Sequence, residues 1–307
     1  LKEEILSRKI LDILIKNNYA LVKTPLIEYQ NSNFNSDNPQ IKNTSHEPFI
    51  LVEPDTKKVL VLRPDITPQI ARLASTKLNH IKRPLRLMYS GEVLRNTKNL
   101  YQSDRQFKQI GAEIIGASYK EALLEIIKLI NNIIKNIKIK NTIIDFSIPS
   151  LIKNLEKKIN LSNPERKKIR EAIENKDSSL ITKKKYIFIK NIIECSGTLQ
   201  NAKKNFKNSS LPSYIYVILD NFFKTLDYIK KNNSDINITI DISEGNNFLN
   251  YQNLGFKVYN KDDSNVIAIG GDYVLDNKEL GIGVTLITNN IIKAFKYKNK
   301  MGNFKNE

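Results

Sequence analysis

Apolar and polar residues alternate along two stretches of the chain, Leu85 to Arg95 and Arg105 to Ile115. A period of two is typical of β-strands, whose successive side chains point to opposite faces of a sheet. The residues between the stretches are rich in turn formers, so the pattern predicts two strands joined by a polar loop. If the strands pair with matching faces, Gln109 and Glu113 lie at one end of the hairpin and an arginine lies at the other.

Glycines recur on the predicted strand faces. They lie in the hairpin and in a later pair of apolar stretches, at Gly91, Gly111, Gly270, Gly271, Gly281 and Gly283. Glycine inside a strand often marks a place where a ligand or another part of the molecule comes close to the backbone. We therefore expect a thin floor beneath a ligand or a neighbouring helix.

Apolar residues recur at a helical spacing in other segments. This spacing predicts helices at 1–17 and 119–137 and, in a lysine-rich stretch, at 151–161, 164–175, 185–195 and 214–231. Further strands are predicted within 49–62, 141–146, 236–242, 264–273 and 280–288. The lysine-rich helical segments predict a mostly helical insertion at about 150–235 within a single domain of residues 1–307.

A second polar segment, LRPDITPQIAR, begins at Leu62. Thr67 followed by Pro68 predicts an N-cap and a proline at the first position of a helix. Asp65 precedes this cap, where its carboxylate could accept hydrogen bonds from an ammonium group. The alternative is that Asp65 and Thr67 only cap the helix.

Arginine is concentrated in the segments described so far. Of 49 Lys and Arg residues only nine are arginine, and six of these lie between positions 63 and 105. Arginine is favoured where a rigid, bidentate donor is needed. These arginines could bind a ligand, or they could form structural ion pairs with Asp65, Glu92 or Glu113.

Composition excludes several classes of function. The net charge of +17 comes mainly from lysines spread over the whole chain, which is typical of a solvated surface rather than a nucleic-acid groove. One cysteine, Cys195, rules out an internal disulfide framework, and with only two histidines we expect no metal site and no cofactor. No signal peptide or membrane-spanning apolar run is present, so we expect a cytoplasmic protein.

Taken together, these segments resemble the catalytic domain of histidyl-tRNA synthetase, over nearly the whole chain. LRPDITPQIAR is similar to a segment of that family, and GEVLR with SDRQFKQIGAEIIG is similar to motif 2 of class II synthetases. AIGGDYVL and LGIGVTLIT resemble its glycine-rich segment and its motif 3 strand. The resemblance implies an α+β fold with a class II synthetase-like antiparallel sheet flanked by helices, and a self-dimer formed through the first helix and strand.

Several cations of the synthetase are missing from this sequence. No arginine follows Arg170, and uncharged or acidic residues stand at other positions that the resemblance assigns to charged groups of the synthetase: Asn246 or Asn247, Thr97, Ser103 and Asp272. Each loss would remove a charge facing ATP or the transition state, and one such contact is typically worth about 3 kcal/mol or more. We therefore expect no aminoacylation, and no anticodon-binding domain because the chain stops at 307.

The amino-acid half of the pocket is retained. By resemblance, Asp65, Thr67, Gln109 and Glu113 hold an α-amino group, Arg95 is the motif 2 arginine, and Tyr251 recognises a side chain. This combination resembles the regulatory subunits of ATP phosphoribosyltransferase, which are synthetase-like proteins without aminoacylation activity. The resemblance implies that the chain activates a short-form catalytic subunit in a hetero-octamer, in the first step of histidine biosynthesis, and takes part in feedback by histidine.

Three alternatives stay open from the sequence. The chain could be a divergent histidyl-tRNA synthetase or another amino-acid-activating enzyme. It could be an RNA-binding module that uses its positive charge, although lysines spread over the whole chain argue against nucleic acid as a partner. The polar residues could also form an internal network with Arg95 in a degenerate, empty pocket.

Overall fold

The computed structural model describes residues 2–30, 48–96, 104–159, 162–242, 251–262 and 264–294. Its internal contacts divide the chain into two compact units: unit 1, residues 1–142 with 257–307, and unit 2, residues 143–256. The helical insertion predicted at about 150–235 lies inside unit 2. The single domain predicted for 1–307 stays a prediction.

Unit 1 is built on a mainly antiparallel sheet, as the sequence predicted. Its strands lie in the order β1 (Ala20–Leu21), β5 (Leu85–Leu94), β6 (Gln106–Ile115), β12 (Leu280–Ile287) and β11 (Val266–Val274). β1 and β5 are parallel, whereas the other neighbours are antiparallel. A smaller antiparallel sheet contains β2 (Ile27–Tyr29), β4 (Val59–Leu62) and β3 (Phe49–Val52).

Helices of unit 1 bury their apolar faces. They are α1 (Lys2–Lys16), α2 (Thr67–Ser75) and α3 (Tyr119–Asn136), and residues 288–294 are also helical. In α3 every apolar position of the predicted helical pattern is buried, including Leu123, Ile126 and Ile130. Among the described residues, no helix combines the length and hydrophobicity needed to cross a bilayer.

The β5–β6 hairpin has the predicted register. Tyr89 lies opposite Gly111, and Gly91 lies opposite Gln109, so the two polar faces coincide. The backbone N–H of Arg95 donates to the carbonyl of Arg105 at 2.8 Å, which closes the ladder beside the loop. Glu113 therefore lies on a central strand, opposite Leu87 of β5 on one side and Gly283 of β12 on the other.

Unit 2 combines a short sheet with helices. β7 (Thr142–Ser147), which begins at the boundary, pairs in parallel with β9 (Ile238–Ile240), and β8 (Gly197–Thr198) joins β9 antiparallel. Its helices are α4 (Ser150–Lys158), α5 (Asn163–Glu174), α6 (Ile187–Glu194), α7 (Leu199–Asn208) and α8 (Ser213–Asn232), and β10 (Gly255–Asn260) spans the second boundary. Four of these helices were predicted, and α7 was not.

Candidate functional site

Glu113 is the centre of a buried polar cluster in unit 1. It is 1% exposed, and its Oε1 accepts from the Thr67 hydroxyl at 3.0 Å while Oε2 accepts from the Tyr273 hydroxyl at 2.9 Å. Burial raises the pKa of Glu113 to about 8, against the opposing effect of these hydroxyl donors. Within the part of the chain that the structure describes, no lysine or arginine forms an ion pair with this carboxyl.

Tyr89 extends the cluster towards β12. Its hydroxyl lies 3.0 Å from Thr67 Oγ1, 2.7 Å from Thr285 Oγ1 and 3.5 Å from Glu113 Oε1. The cluster therefore comprises five hydrogen-bonded side chains from β5, β6, β11, β12 and α2. We call it the Glu113 cluster: Thr67, Tyr89, Glu113, Tyr273 and Thr285.

Side chains of the Glu113 cluster cover three glycines of the sheet. The sequence had predicted a ligand or a neighbouring helix above these glycines. Tyr89, Glu113 and Tyr273 lie directly opposite Gly111, Gly283 and Gly281 in the strand register. A methyl group at any of these three glycines would overlap the facing side chain. The glycines are needed because each large polar side chain lies flat across the neighbouring strand.

Thr67 is not the N-cap that the sequence predicted. Ile66 occupies that position and makes no side-chain cap, while Thr67 is the first residue of α2 and Pro68 lies in the first turn. The Asp65 carboxylate accepts from the backbone N–H of Ile66 at 2.9 Å. This leaves the Thr67 hydroxyl to bind Glu113, so the capping alternative fails for Thr67.

Asp65, Gln109 and Arg95 lie beside the cluster. Gln109 is 2% exposed, and its Oε1 accepts from the Ile66 N–H at 3.3 Å. Burial raises the pKa of Asp65, whereas the charge of Arg95 opposes that shift. The Arg95 guanidinium lies 4.9 Å from the centre of the Phe107 ring and donates to the Pro64 carbonyl at 3.0 Å.

The structure thus brings together five of the six predicted site residues, Asp65, Thr67, Arg95, Gln109 and Glu113. Tyr251 belongs to unit 2, where it is half-buried. The binding roles of all six stay predictions. Four positions used in the sequence argument, Thr97, Ser103, Asn246 and Asn247, lie outside the described residues.

Asp272, one of the positions where the resemblance implies a lost cation, does not lie on the face of the sheet that carries the Glu113 cluster. It pairs with Ile282, one position from the Tyr273–Gly281 pair, and it is 1% exposed. Successive strand residues point to opposite faces, so Asp272 lies on the face away from Glu113. An arginine at this position would therefore not add a cation beside Glu113.

Several arginines serve the fold rather than the site. Arg83 forms a bidentate pair with Glu279 at 2.8 and 2.9 Å, and Arg86 forms one with Glu125 at 2.7 and 2.8 Å. Arg72 pairs with Glu28, and Arg63 donates to the carbonyls of Thr24 and Glu92. The alternative of structural ion pairs is right for Arg72, Arg83 and Arg86, although their acidic partners, Glu28, Glu279 and Glu125, are not those that the sequence suggested. Arg63 is held by backbone carbonyls instead.

Tyr89, Tyr273 and Thr285 were not recognised from the sequence as site residues. The available signal was the alternation of glycine with large polar residues on strands that pair with one another. Within one hairpin this alternation indicates that Tyr89 lies opposite Gly111. It does not indicate Thr285, because that residue belongs to a strand far away in sequence. Among the described residues, no group of three His, Cys, Asp or Glu side chains could hold a metal ion.

Comparison with known proteins places these features in context. A family model described as histidyl-tRNA synthetase matches residues 1–291. The ATP phosphoribosyltransferase regulatory subunit of Paramagnetospirillum magneticum is 25% identical over 288 residues, covering 93% of this chain and 75% of that protein. The protein of the same name from Rhodospirillum centenum is 26% identical over 283 residues, covering 91% and 72%.

Solved structures share the fold. A Bacillus halodurans protein described as an ATP phosphoribosyltransferase regulatory subunit/histidyl-tRNA synthetase has a TM-score of 0.78 at 19% identity, covering 95% of this chain and 78% of that one. The HisG:HisZ complex of ATP phosphoribosyl transferase from Thermotoga maritima contains a chain with a TM-score of 0.68 at 17% identity, covering 93% and 97%. These likenesses confirm the predicted class II synthetase-like fold.

Proposed function

The chain belongs to the histidyl-tRNA synthetase family, and from that premise we propose that it is a regulatory subunit of ATP phosphoribosyltransferase. The observation that carries this proposal is the similarity to proteins of that name over about nine-tenths of the chain. Its role is then in the first step of histidine biosynthesis, where it activates a short-form catalytic subunit.

Histidine is the ligand that we propose for unit 1. A buried carboxyl with hydroxyl neighbours and no described cationic partner suits the ammonium group of a free amino acid. Asp65 lies close enough to influence the pKa of Glu113 and supplies a second carboxylate. Arg95, whose charge acts on Asp65, supplies a cation beside the two carboxyls, so the proposed contacts match a zwitterion.

Aminoacylation is absent in this proposal. No arginine follows Arg170, and at the end of β12 the fully buried Thr288 donates to the Lys108 carbonyl at 3.0 Å. This part of the sheet therefore offers no arginine for ATP phosphates. Purified protein should give no histidine-dependent exchange of pyrophosphate into ATP, and a clear exchange signal would favour the divergent synthetase instead.

Assembly is the next part of the proposal. We propose a self-dimer through α1 and β1 that joins the catalytic subunit in a hetero-octamer. Ile5 and Ile15 of α1 are 50% and 56% exposed, and Leu21 of β1 is 50% exposed. Such large apolar side chains are suited to a protein interface.

The proposal is tested by reconstitution with a short-form catalytic subunit. Sedimentation should show a stable complex, and phosphoribosyltransferase activity should rise on mixing and fall when histidine is added. Neither complex nor activation would reject the regulatory role.

A pair of variants separates histidine binding from assembly. Glu113→Gln should keep the complex but weaken inhibition by histidine, whereas Glu121→Gln on the exposed side of α3 should behave as wild type. Full inhibition of the Glu113→Gln complex would place the histidine site elsewhere.

A further inference from the structure

Tyr89 and Tyr273 cross neighbouring strands in opposite directions. Tyr89 starts on β5, passes over Gly111 of β6 and reaches Thr285 on β12. Tyr273 starts on β11, passes over Gly281 of β12 and reaches Glu113 on β6. Among the contacts that the structure describes, the Thr285 hydroxyl is connected to the other members of the cluster only through the Tyr89 hydroxyl.

The direction of the hydroxyl protons follows from counting donors. An ionised carboxylate only accepts hydrogen bonds, and each hydroxyl has one proton to donate. When Glu113 is ionised, Thr67 donates to it, so the proton of Tyr89 is available for Thr67 or for Glu113 Oε1 directly, and that of Thr285 is available for Tyr89. The three hydroxyls then form a chain in which every proton points towards the carboxylate, and such chains strengthen each bond.

We propose that Thr285 is a positioning residue for the amino-acid ligand, acting through Tyr89 and Thr67 on the Glu113 carboxylate. This inference rests on the proposed binding of histidine to unit 1. An ammonium group binds the ionised form of Glu113, and the hydroxyl chain stabilises that form. Losing the Thr285 hydroxyl should therefore weaken ligand binding through Glu113, from which Thr285 is separated by Tyr89.

The titratable and polar groups that face Glu113 determine how the affinity for the ligand varies with pH. They are Tyr89 from β5, Tyr273 from β11, Thr285 from β12, and Asp65 and Thr67 at the start of α2, with Arg95 beside Asp65. Tyr89 has a pKa raised well above its usual value by burial, so it stays protonated in the physiological range. Burial raises the pKa of Glu113 to about 8 and also raises the pKa of Asp65.

Calorimetric titration of the full chain with histidine between pH 6 and 8.5 tests the inference. Thr285→Val should bind histidine about three- to tenfold more weakly at pH 7, the effect expected for one lost hydrogen bond. The pH at which the affinity of Thr285→Val for histidine reaches half its maximum should be higher than in wild type, because the ionised form of Glu113 is less stabilised. Since the ligand titrates identically in each experiment, this displacement reports on the protein.

Two further variants serve as controls. Thr285→Ser keeps the hydroxyl and should restore both affinity and pH profile. Thr288→Val removes a hydroxyl from a fully buried threonine near the end of the same strand and should leave both unchanged. If Thr285→Val does not fold, Tyr89→Phe interrupts the same chain and should produce the same loss and the same displacement.

Two outcomes overturn the inference in distinguishable ways. Wild-type affinity and pH profile in Thr285→Val would reject the role of Thr285 while histidine binding stands. No histidine binding by the wild-type protein would reject the proposed ligand, and the positioning role with it.

Discussion

Glu113 illustrates at the scale of a single residue how burial changes the behaviour of a carboxyl. Its environment offers hydroxyl donors but, among the described residues, no compensating cation. The neutral form is therefore favoured up to about pH 8, and ionisation in the folded protein costs free energy. A ligand ammonium would supply the missing charge.

Glu113→Gln should change how stability depends on pH. The pKa of Glu113 is raised from 4.5 to about 8, so its favourable contribution is complete below pH 4.5 and is lost as pH rises through 8. The free energy of unfolding of wild type should fall relative to Glu113→Gln by up to about 1.4 kcal/mol per pH unit in this window. Urea unfolding at several pH values measures it, and parallel curves would contradict it.

Sequence reasoning identified the polar residues that converge but not how they are held. Asp65, Gln109 and Glu113 could be chosen because strand alternation and a helix start place them predictably. Tyr273, which donates to Glu113, and Thr285, which contacts Tyr89, could not be chosen, because they reach the cluster only through pairing between distant strands. The expected cap at Thr67 failed since its hydroxyl has a buried carboxyl to bind.

Strands β5, β6, β11 and β12 show at the scale of elements why glycine alternates with large polar residues. Each large side chain lies across the facing strand and needs a residue without a side chain there. The sheet therefore pairs large residues with glycine, as in Tyr89 with Gly111. The glycines themselves were visible in the sequence. For Gly111, Gly281 and Gly283 the interpretation as a ligand floor was wrong, because local alternation does not show which side chain lies above them.

Gly111→Ala should therefore destabilise the protein through Tyr89. Its methyl group would overlap the Tyr89 ring, and overpacking of this kind typically costs about 1–3 kcal/mol. In a Tyr89→Ala background the same change should cost much less, because the overlapping ring is gone. Chemical unfolding of the four variants measures this coupling, and additive costs would show that the clash is relieved elsewhere.

The Arg83–Glu279 pair makes a second prediction for elements. Arg83 also donates to the carbonyls of Ala74, Leu78 and Ile81, so it joins the end of α2 to the turn before β12. Arg83→Lys retains the charge but loses the bidentate geometry and should lower the free energy of unfolding by about 1–2 kcal/mol. Arg8→Lys, on the exposed face of α1, is the control and should be neutral.

The whole molecule was predictable where local patterns decide the structure. Four helices of unit 2 and the strands of the β5–β6 hairpin follow from periodicity, whereas the α+β class and the antiparallel sheet were implied by the resemblance to histidyl-tRNA synthetase. Helix α7 was missed because its apolar face is short, with Ala202 and Phe206 as its buried residues. The division into two compact units depends on contacts between distant segments, which periodicity does not contain.

Unit 2 contains the only cysteine of the sequence, and its thiol should be strongly protected. Cys195 is fully buried, and burial raises its pKa to about 12. Since thiolate is the reactive form, a thiol reagent at pH 8 should label the native protein at least about a hundredfold more slowly than the unfolded chain. Absorbance during labelling, with and without guanidinium, measures this ratio, and equal rates would contradict the burial.

This sealed thiol makes the natural chain a convenient background for spectroscopic probes. A cysteine introduced on an exposed surface would react with a fluorophore long before Cys195 does. Dyes or spin labels could then be attached at chosen positions without first removing the native cysteine. Movements of individual segments during assembly with a partner would become measurable in an otherwise unaltered protein.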